Sequence, residues 1–178
     1  HEIVTRTRVR KIQLSEVSLT GGSGPMAAMM VGDMPKLTFK LSDGSGAPIV
    51  DLKTNTALSA TLLIGGPTND RQMIYPSMSL KTTGTLTFDS ATNVYTYTPP
   101  TAWPATAQTP LNTTGLTPRA NPPGTYSAWL YVVETTTYKG ASVRDVGTTL
   151  IDFRVGGSQA IQPRHVIKRE SCNSCHVV

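Results

Sequence analysis

Leu37-Thr38-Phe39-Lys40-Leu41-Ser42, followed by Asp43-Gly44-Ser45-Gly46, is the stretch that indicates the fold most clearly. Apolar and polar side chains alternate along its first six residues, as they do in a strand that buries one face. The Asp and Gly residues that follow favour a tight turn. This stretch therefore predicts a half-buried strand that ends in a turn.

Similar strand signals recur along the rest of the chain. They lie at residues 9–19, 58–64, 86–88, 94–97, 126–133 and 146–155. Residues 89–93 separate two of them by the length of a hairpin loop. About eight short strands at fairly regular spacing predict a mostly β fold, either a Greek-key or split β-barrel or an Ig-like sandwich.

Two segments interrupt the strand pattern. Residues 98–124 are rich in proline, which predicts a long loop, and Trp103 in this loop is expected to cover one end of the β domain. Trp129 lies within a strand pattern and is expected in the core. Residues 21–35 are expected to include a helical turn and to fill gaps in the core with their methionines, which are Met26, Met29, Met30 and Met34.

The composition excludes several classes of protein. The chain has 178 residues, of which only 15% are charged, and a net charge of +5. Its Lys and Arg residues concentrate near the two ends without interleaved aromatic residues, which argues against binding to nucleic acid. No apolar run approaches the length of a membrane span. The basic ends would suit an acidic partner.

The strongest chemical signal is Cys172-Asn173-Ser174-Cys175-His176 near the end of the chain, which contains both cysteines. Cys-x-x-Cys-His is the attachment motif of c-type haem. Cys172 and Cys175 would form thioethers with the two vinyl groups, and His176 would bind the iron as proximal ligand. The alternatives are a disulfide or half of a zinc site, but zinc usually needs four ligands and the chain has no second cysteine pair.

The distal haem ligand is left open by the sequence. His165, which precedes Cys172 by seven residues, and His1 are the histidine candidates. The methionines of residues 21–35 could instead supply a thioether. We expect a ligand from sequence beyond this chain or from a partner chain.

The haem motif also predicts cell location and domain organisation. Haem c is attached outside the cytoplasm, so we expect an exported protein of the periplasm, the outer-membrane surface or the extracellular space. The chain opens on His1 without an initiator Met or a signal peptide, as expected of a mature or trimmed chain. We expect a β domain at residues 1–158 and a haem-bearing exit segment at residues 159–178.

The sequence resembles a known family. The stretch from Leu37 to Ile49 is similar to the strand–turn–strand signature of β domains in extracellular multihaem cytochromes of metal-reducing bacteria, the OmcA/MtrC type. Further similar segments are Gly84-Thr85-Leu86-Thr87, Tyr95-Thr96-Tyr97, Gly124-Thr125-Tyr126 and Arg164-His165-Val166-Ile167. The resemblance implies a β domain that leads into the first haem of a following domain. Family members carry many Cys-x-x-Cys-His sites and this chain has one, so it is either a fragment or a single-haem relative.

Electron transfer is the function that these observations favour. The chain would be a subunit or fragment of an exported multihaem cytochrome that serves extracellular electron transfer. The partners would be other haem-bearing chains or domains of the same cytochrome, and the β domain would serve docking or assembly, including a filament joined through edge strands. One alternative is a secreted Ig-like structural or binding module without haem. Another is a haem redox enzyme, but the sequence has no recognisable catalytic arrangement, so we expect an electron carrier rather than a catalyst.

Overall fold

The computed structural model describes residues 10–68, 72–107, 120–138 and 140–163, without the side chains of Gln72, Met73 and Tyr138. The described residues form nine strands: β1 (Gln13–Thr20), β2 (Lys36–Ser42), β3 (Leu58–Gly66), β4 (Gln72–Met73), β5 (Met78–Ser79), β6 (Thr85–Asp89), β7 (Val94–Thr98), β8 (Gly124–Tyr138) and β9 (Ala141–Val155). A single 3₁₀ turn at Pro25–Ala27 provides the helical turn expected within residues 21–35.

The strands form two antiparallel sheets, so the prediction of a mostly β fold is confirmed. The first sheet has the order β1-β2-β7-β6, and the second has the order β4-β3-β8-β9, with β5 also paired to β3. The sheets do not close into a barrel. Along one edge, β1 lies beside β9, but the described residues of these two strands form no backbone ladder. The Ile12 amide donates instead to the Asp145 carboxylate of β9 at 3.0 Å. The sandwich is therefore the correct one of the two expected architectures.

The core lies between the sheets and follows the predicted alternation. Leu37, Phe39 and Leu41 of β2 are all at most 2% exposed. In the second sheet, the inward residues of β3 and β8 are buried as well: Leu58, Ala60, Leu62, Ile64, Tyr126, Ala128, Leu130 and Val132. Because successive side chains of a strand point to opposite faces, the remaining positions of β3 and β8 form the outer surface of the second sheet.

The proline-rich loop closes one end of the sandwich through Trp103, as the sequence predicts. Its indole is 1% exposed and makes edge-to-face contacts with Tyr75, Tyr126 and Phe153, at centroid distances of 5.6 to 5.9 Å. The Trp103 amide donates to the Asp33 carbonyl at 2.6 Å, which ties the loop to residues 21–35. Residues 108–119 of the loop lie outside the described part of the chain.

The last two strands are longer than predicted. Residues 126–133 and 146–155 show the apolar signal, whereas β8 and β9 run in register from the pair Gly124–Val155 to the pair Tyr138–Ala141. The added length of β8 is a run of exposed threonines, Thr135–Thr137, which suit a strand by β-branching but bury no face. Two-residue strands such as β4 and β5 are too short to show an alternating pattern.

Candidate haem site

The residues of the predicted haem site lie outside the described residues. These are Cys172, Cys175 and His176, together with the distal candidates His165 and His1. The described chain reaches Pro163, nine residues before Cys172. The β sandwich holds the described residues that precede the motif, up to Pro163, through hydrogen bonds to its second sheet.

Two buried threonines anchor the exit segment. The Gln162 amide donates to the Thr125 hydroxyl at 2.8 Å, and the Thr68 hydroxyl donates to the Gln162 carbonyl at 3.1 Å. The Thr68 amide in turn donates to the Thr125 carbonyl at 2.8 Å. Thr125 is only 5% exposed and Thr68 only 9%. Since buried hydroxyls need partners, these bonds fix the chain at Gln162.

A second anchor lies at Gln159, three residues before Gln162. The Arg154 Nε donates to the Gln159 carbonyl at 2.9 Å, and the Gln159 side-chain amide donates to the Val155 carbonyl at 3.0 Å. Arg154 is the cross-strand partner of Thr125, so both side chains point to the same face. That face is the outer one, because the next residue of β8, Tyr126, is buried in the core. Residues 159–162 therefore lie against the outer face of the second sheet.

The outer face of the second sheet carries apolar side chains beyond these anchors. Cross-strand pairing aligns Leu63, Trp129 and Leu150 in one row, then Tyr131 beside Thr148, then Val133 beside Val146. We call the apolar members of these rows the outer band: Leu63, Trp129, Tyr131, Val133, Val146 and Leu150. All members of the band except Leu150 line a depression of about 430 Å³, together with Arg144 and Thr148.

The expectation that Trp129 lies in the core is wrong. Its side chain is 46% exposed and contacts the Tyr131 ring at a centroid distance of 5.9 Å on the outer face. The reason is the period of two: Ala128 and Leu130 point inward, so Trp129 between them points outward. Because β8 is apolar on both faces, its sequence pattern does not show which face points toward the other sheet.

The methionines of residues 21–35 lie at the end of the sandwich from which the exit segment leaves. Met29 forms a parallel bridge to Val155, with its amide donating to the Arg154 carbonyl at 2.8 Å. Met29 is 2% exposed and fills the core as expected, but Met26, Met30 and Met34 are 64%, 37% and 39% exposed. The gap-filling interpretation is therefore right for Met29 only.

The N-terminal segment joins the fold at the other end of β8. The Arg10 guanidinium lies 3.2 Å from the carboxylate of Glu134, which is only 5% exposed, and 4.0 Å from that of Asp51. Glu134 is nine residues from Thr125 along β8, or about 30 Å at the rise of an extended strand. The first and last described residues thus lie at opposite ends of the second sheet.

Neither a metal site nor a membrane helix is found in the described part of the chain. Within it, no three His, Cys, Asp or Glu side chains cluster closely enough to hold a metal ion, and all three histidines of the sequence fall outside it. No helix among the described residues has the length and apolarity needed to cross a membrane.

No protein-family model and no curated protein matches this sequence. Solved structures similar to the chain include MtrC from Shewanella baltica OS185, with 14% identity over 94% of this chain and 28% of that one, at a TM-score of 0.54. They also include the outer membrane decaheme cytochrome OmcA, with 15% identity over 95% of this chain and 27% of that one, at a TM-score of 0.45. The chain thus spans little more than a quarter of the length of either protein. The likeness to MtrC shows that this chain has the fold of a β-rich part of that protein.

Proposed function

We propose that this chain is an electron-transfer domain of an exported c-type cytochrome, in which residues 159–178 carry one covalent haem c and residues 1–158 position it. The observation that carries the proposal is the sequence Cys172-Asn173-Ser174-Cys175-His176. The sequence resemblance to cytochromes of the OmcA/MtrC type, and the shared fold with part of MtrC, support it.

The donor set fits a c-type haem. Two thiols separated by two residues match the two vinyl groups of one porphyrin, and the adjacent imidazole is a good iron ligand. When bound, the haem would supply one-electron cycling of its iron. The protein's contribution is to hold the group in place, to control its exposure to water and to set the charges near it.

The exit anchor gives the β domain a defined part in this function. Thr68 and Thr125 hold Gln162, and Cys172 follows ten residues later. Ten residues span at most about 35 Å, so the haem would stay within that distance of the second sheet. A tethered haem of this kind can be presented to neighbouring haems without a contact of its own to the first sheet.

The proposal extends to location and partners. Attachment of haem c places the protein outside the cytoplasm, in the periplasm, on the outer-membrane surface or beyond it. Other haem-bearing chains or domains of the same cytochrome would exchange electrons with this haem, and edge strands could join copies into a filament. We propose that such a partner also supplies the distal ligand, with His165, His1 and the exposed methionines as the alternatives within the chain.

An optical redox titration of the full chain, exported from cells that attach haem c, tests the function. We expect reversible one-electron reduction of a haem that stays with the polypeptide after denaturation. The matched control is the double variant Cys172→Ser/Cys175→Ser, which should carry no haem absorbance. A five-coordinate iron that turns over peroxide would favour a haem redox enzyme. Absence of haem from the unaltered chain would favour a structural or binding module.

A further inference from the structure

We propose that the outer band of the second sheet is the docking surface for the haem carried by this chain's own residues 164–178. This inference rests on the proposed function, since it needs the haem at Cys172 and Cys175. Gln159 and Gln162 are anchored on the same face that presents the apolar depression, and the haem would cover that depression.

The outer band is largely exposed. Trp129, Val146 and Leu150 are 46%, 50% and 43% exposed, and all three lie on one face of the sheet. Val133 is only 3% exposed, yet it is not part of the core cluster between the sheets, so it forms the floor of the depression. A cluster of large exposed apolar side chains around a concave floor is typical of a binding surface.

The haem-bearing residues are attached close enough to the outer band to reach it. Thr125, which holds Gln162, points to the same face of β8 as Trp129 and Val133. At the rise of an extended strand, Trp129 lies about 14 Å and Val133 about 27 Å from Thr125. Cys172 can extend up to about 35 Å from Gln162. The whole outer band is therefore within reach of the haem, with chain to spare for a turn.

The outer band is chemically complementary to a haem. It spans about 14 Å by 10 Å, which is long enough for one edge of a porphyrin, so that both faces of the ring stay open to His176 and to a distal ligand from a partner. Trp129 and Tyr131 supply aromatic surface for contact with the macrocycle. Arg144, at the far margin, is the one charged residue among the described residues that line the depression. A guanidinium there would attract the anionic propionates.

The tether predicts an orientation. The thioether edge should face Thr125, from which the tether arrives, and the propionates at the other end of the porphyrin should face Arg144 at the far margin.

The covalent tether favours the chain's own haem over a second copy of the protein. A group held on a short linker has an effective concentration in the millimolar range, without loss of an independent molecule's freedom. Docking of the chain's own haem should therefore not depend on protein concentration. Docking of a second copy should increase as the protein is concentrated.

Hydroxyl-radical footprinting read by mass spectrometry tests the inference on the full haem-loaded chain. The comparison is the full-length Cys172→Ser/Cys175→Ser variant, measured at two protein concentrations. We expect oxidation of Trp129 to fall roughly fivefold in the haem-loaded chain. The reason is that its exposed fraction should fall from 46% to about 10% or less. Val50, which is 51% exposed and lies outside the outer band, should be labelled equally in both proteins and serves as the internal control.

Each outcome of this experiment decides the inference. Equal labelling of Trp129 in a chain that carries haem overturns the docking and leaves the proposed function intact. A chain that carries no haem overturns both. Protection that appears only at the higher concentration assigns the surface to a second copy, and so overturns docking of the chain's own haem.

Two variants make the test independent of a single side chain. Trp129→Ser and Leu150→Ser change exposed residues, so we expect both to fold and to attach haem. In each haem-loaded variant, labelling of the remaining member of the pair should rise toward the level of the haem-free chain. The matched control Val50→Ser should leave the protection of Trp129 and Leu150 unchanged, and loss of protection in that control would contradict the inference.

Discussion

At the scale of single residues, Tyr95 and Tyr97 form a natural comparison. Both lie on the inward face of β7 and are at most 1% exposed. The Tyr95 hydroxyl donates to the Ile49 carbonyl at 3.0 Å and accepts from the Leu52 amide at 3.1 Å. The Tyr97 hydroxyl has no hydrogen-bond partner among the described residues. The same burial thus gives a satisfied hydroxyl at one position and an unsatisfied one at the other.

This difference predicts that replacing tyrosine with phenylalanine lowers the free energy of unfolding at position 95 but not appreciably at position 97. Tyr95→Phe should lower the free energy of unfolding by about 1–3 kcal/mol, because it leaves the Leu52 amide and the Ile49 carbonyl without a partner. Tyr97→Phe should change it by less than about 0.5 kcal/mol or raise it, because it removes a hydroxyl that forms no bond. Urea unfolding at pH 7 measures both. Equal losses from the two substitutions would contradict this account of the core.

Burial of Tyr97 also predicts how stability depends on alkaline pH. Desolvation raises the pKa of Tyr97 from its ordinary value of 10.0 to about 12 in the folded protein. Between these values the unfolded chain has lost the proton that the folded chain retains. Stability is therefore full below pH 10 and falls as the pH rises toward 12. Tyr97→Phe should show a smaller loss between pH 9 and pH 11 than the unaltered protein, measured by the urea midpoint.

At the scale of elements, the strands with one apolar face were predictable and the surfaces between elements were not. Leu37, Phe39 and Leu41 identify β2 because alternation beside a turn signal is local information. The predicted hairpin of β6 and β7 is likewise confirmed, with Asp89 accepting bonds from the Ala91 amide and the Thr92 hydroxyl in its loop. The expectation that Trp129 lies in the core is wrong because β8 is apolar on both faces. Only the tertiary fold decides which of these faces packs against the other sheet.

The proline-rich loop behaves as part of the core because of Trp103. Replacing Trp103 with Ala should lower the free energy of unfolding by about 3–5 kcal/mol, since it empties the space between Tyr75, Tyr126 and Phe153. Trp103→Phe should cost less, because a ring remains and the indole N–H, which is buried without a partner among the described residues, is removed. Thermal unfolding followed by circular dichroism measures both, and similar losses would contradict a packing role.

The exit anchor can be weakened without touching the core. Thr125→Val removes the hydroxyl that accepts from the Gln162 amide, and should lower the free energy of unfolding by about 1 kcal/mol. In the haem-loaded chain the same variant should raise the labelling of Trp129, because the tether no longer starts at a fixed point. Ser18→Val, which replaces an exposed hydroxyl of β1, is the control for a strand substitution away from the anchor. If Trp129 is labelled equally in haem-loaded Thr125→Val and in the unaltered haem-loaded chain, haem docking does not depend on the anchor.

At the scale of the whole molecule, the sequence and the fold contribute different parts of the account. The haem motif is readable from the sequence because its chemistry needs only five consecutive residues, Cys172 to His176. The exit anchor was not predictable, because it joins Thr68 and Thr125 to a backbone group far along the chain. The outer band likewise depends on the register of three strands. The outer face of the β sandwich and the point where the chain leaves it are thus set by tertiary structure.

The intact mass of the exported full chain tests the central claim most directly. The sequence alone has a mass of 19.0 kDa. We expect that mass plus one haem, with the added mass lost in the Cys172→Ser/Cys175→Ser variant. A mass equal to the bare polypeptide, from cells that attach haem c to a control cytochrome, would contradict the assignment of this chain to electron transfer.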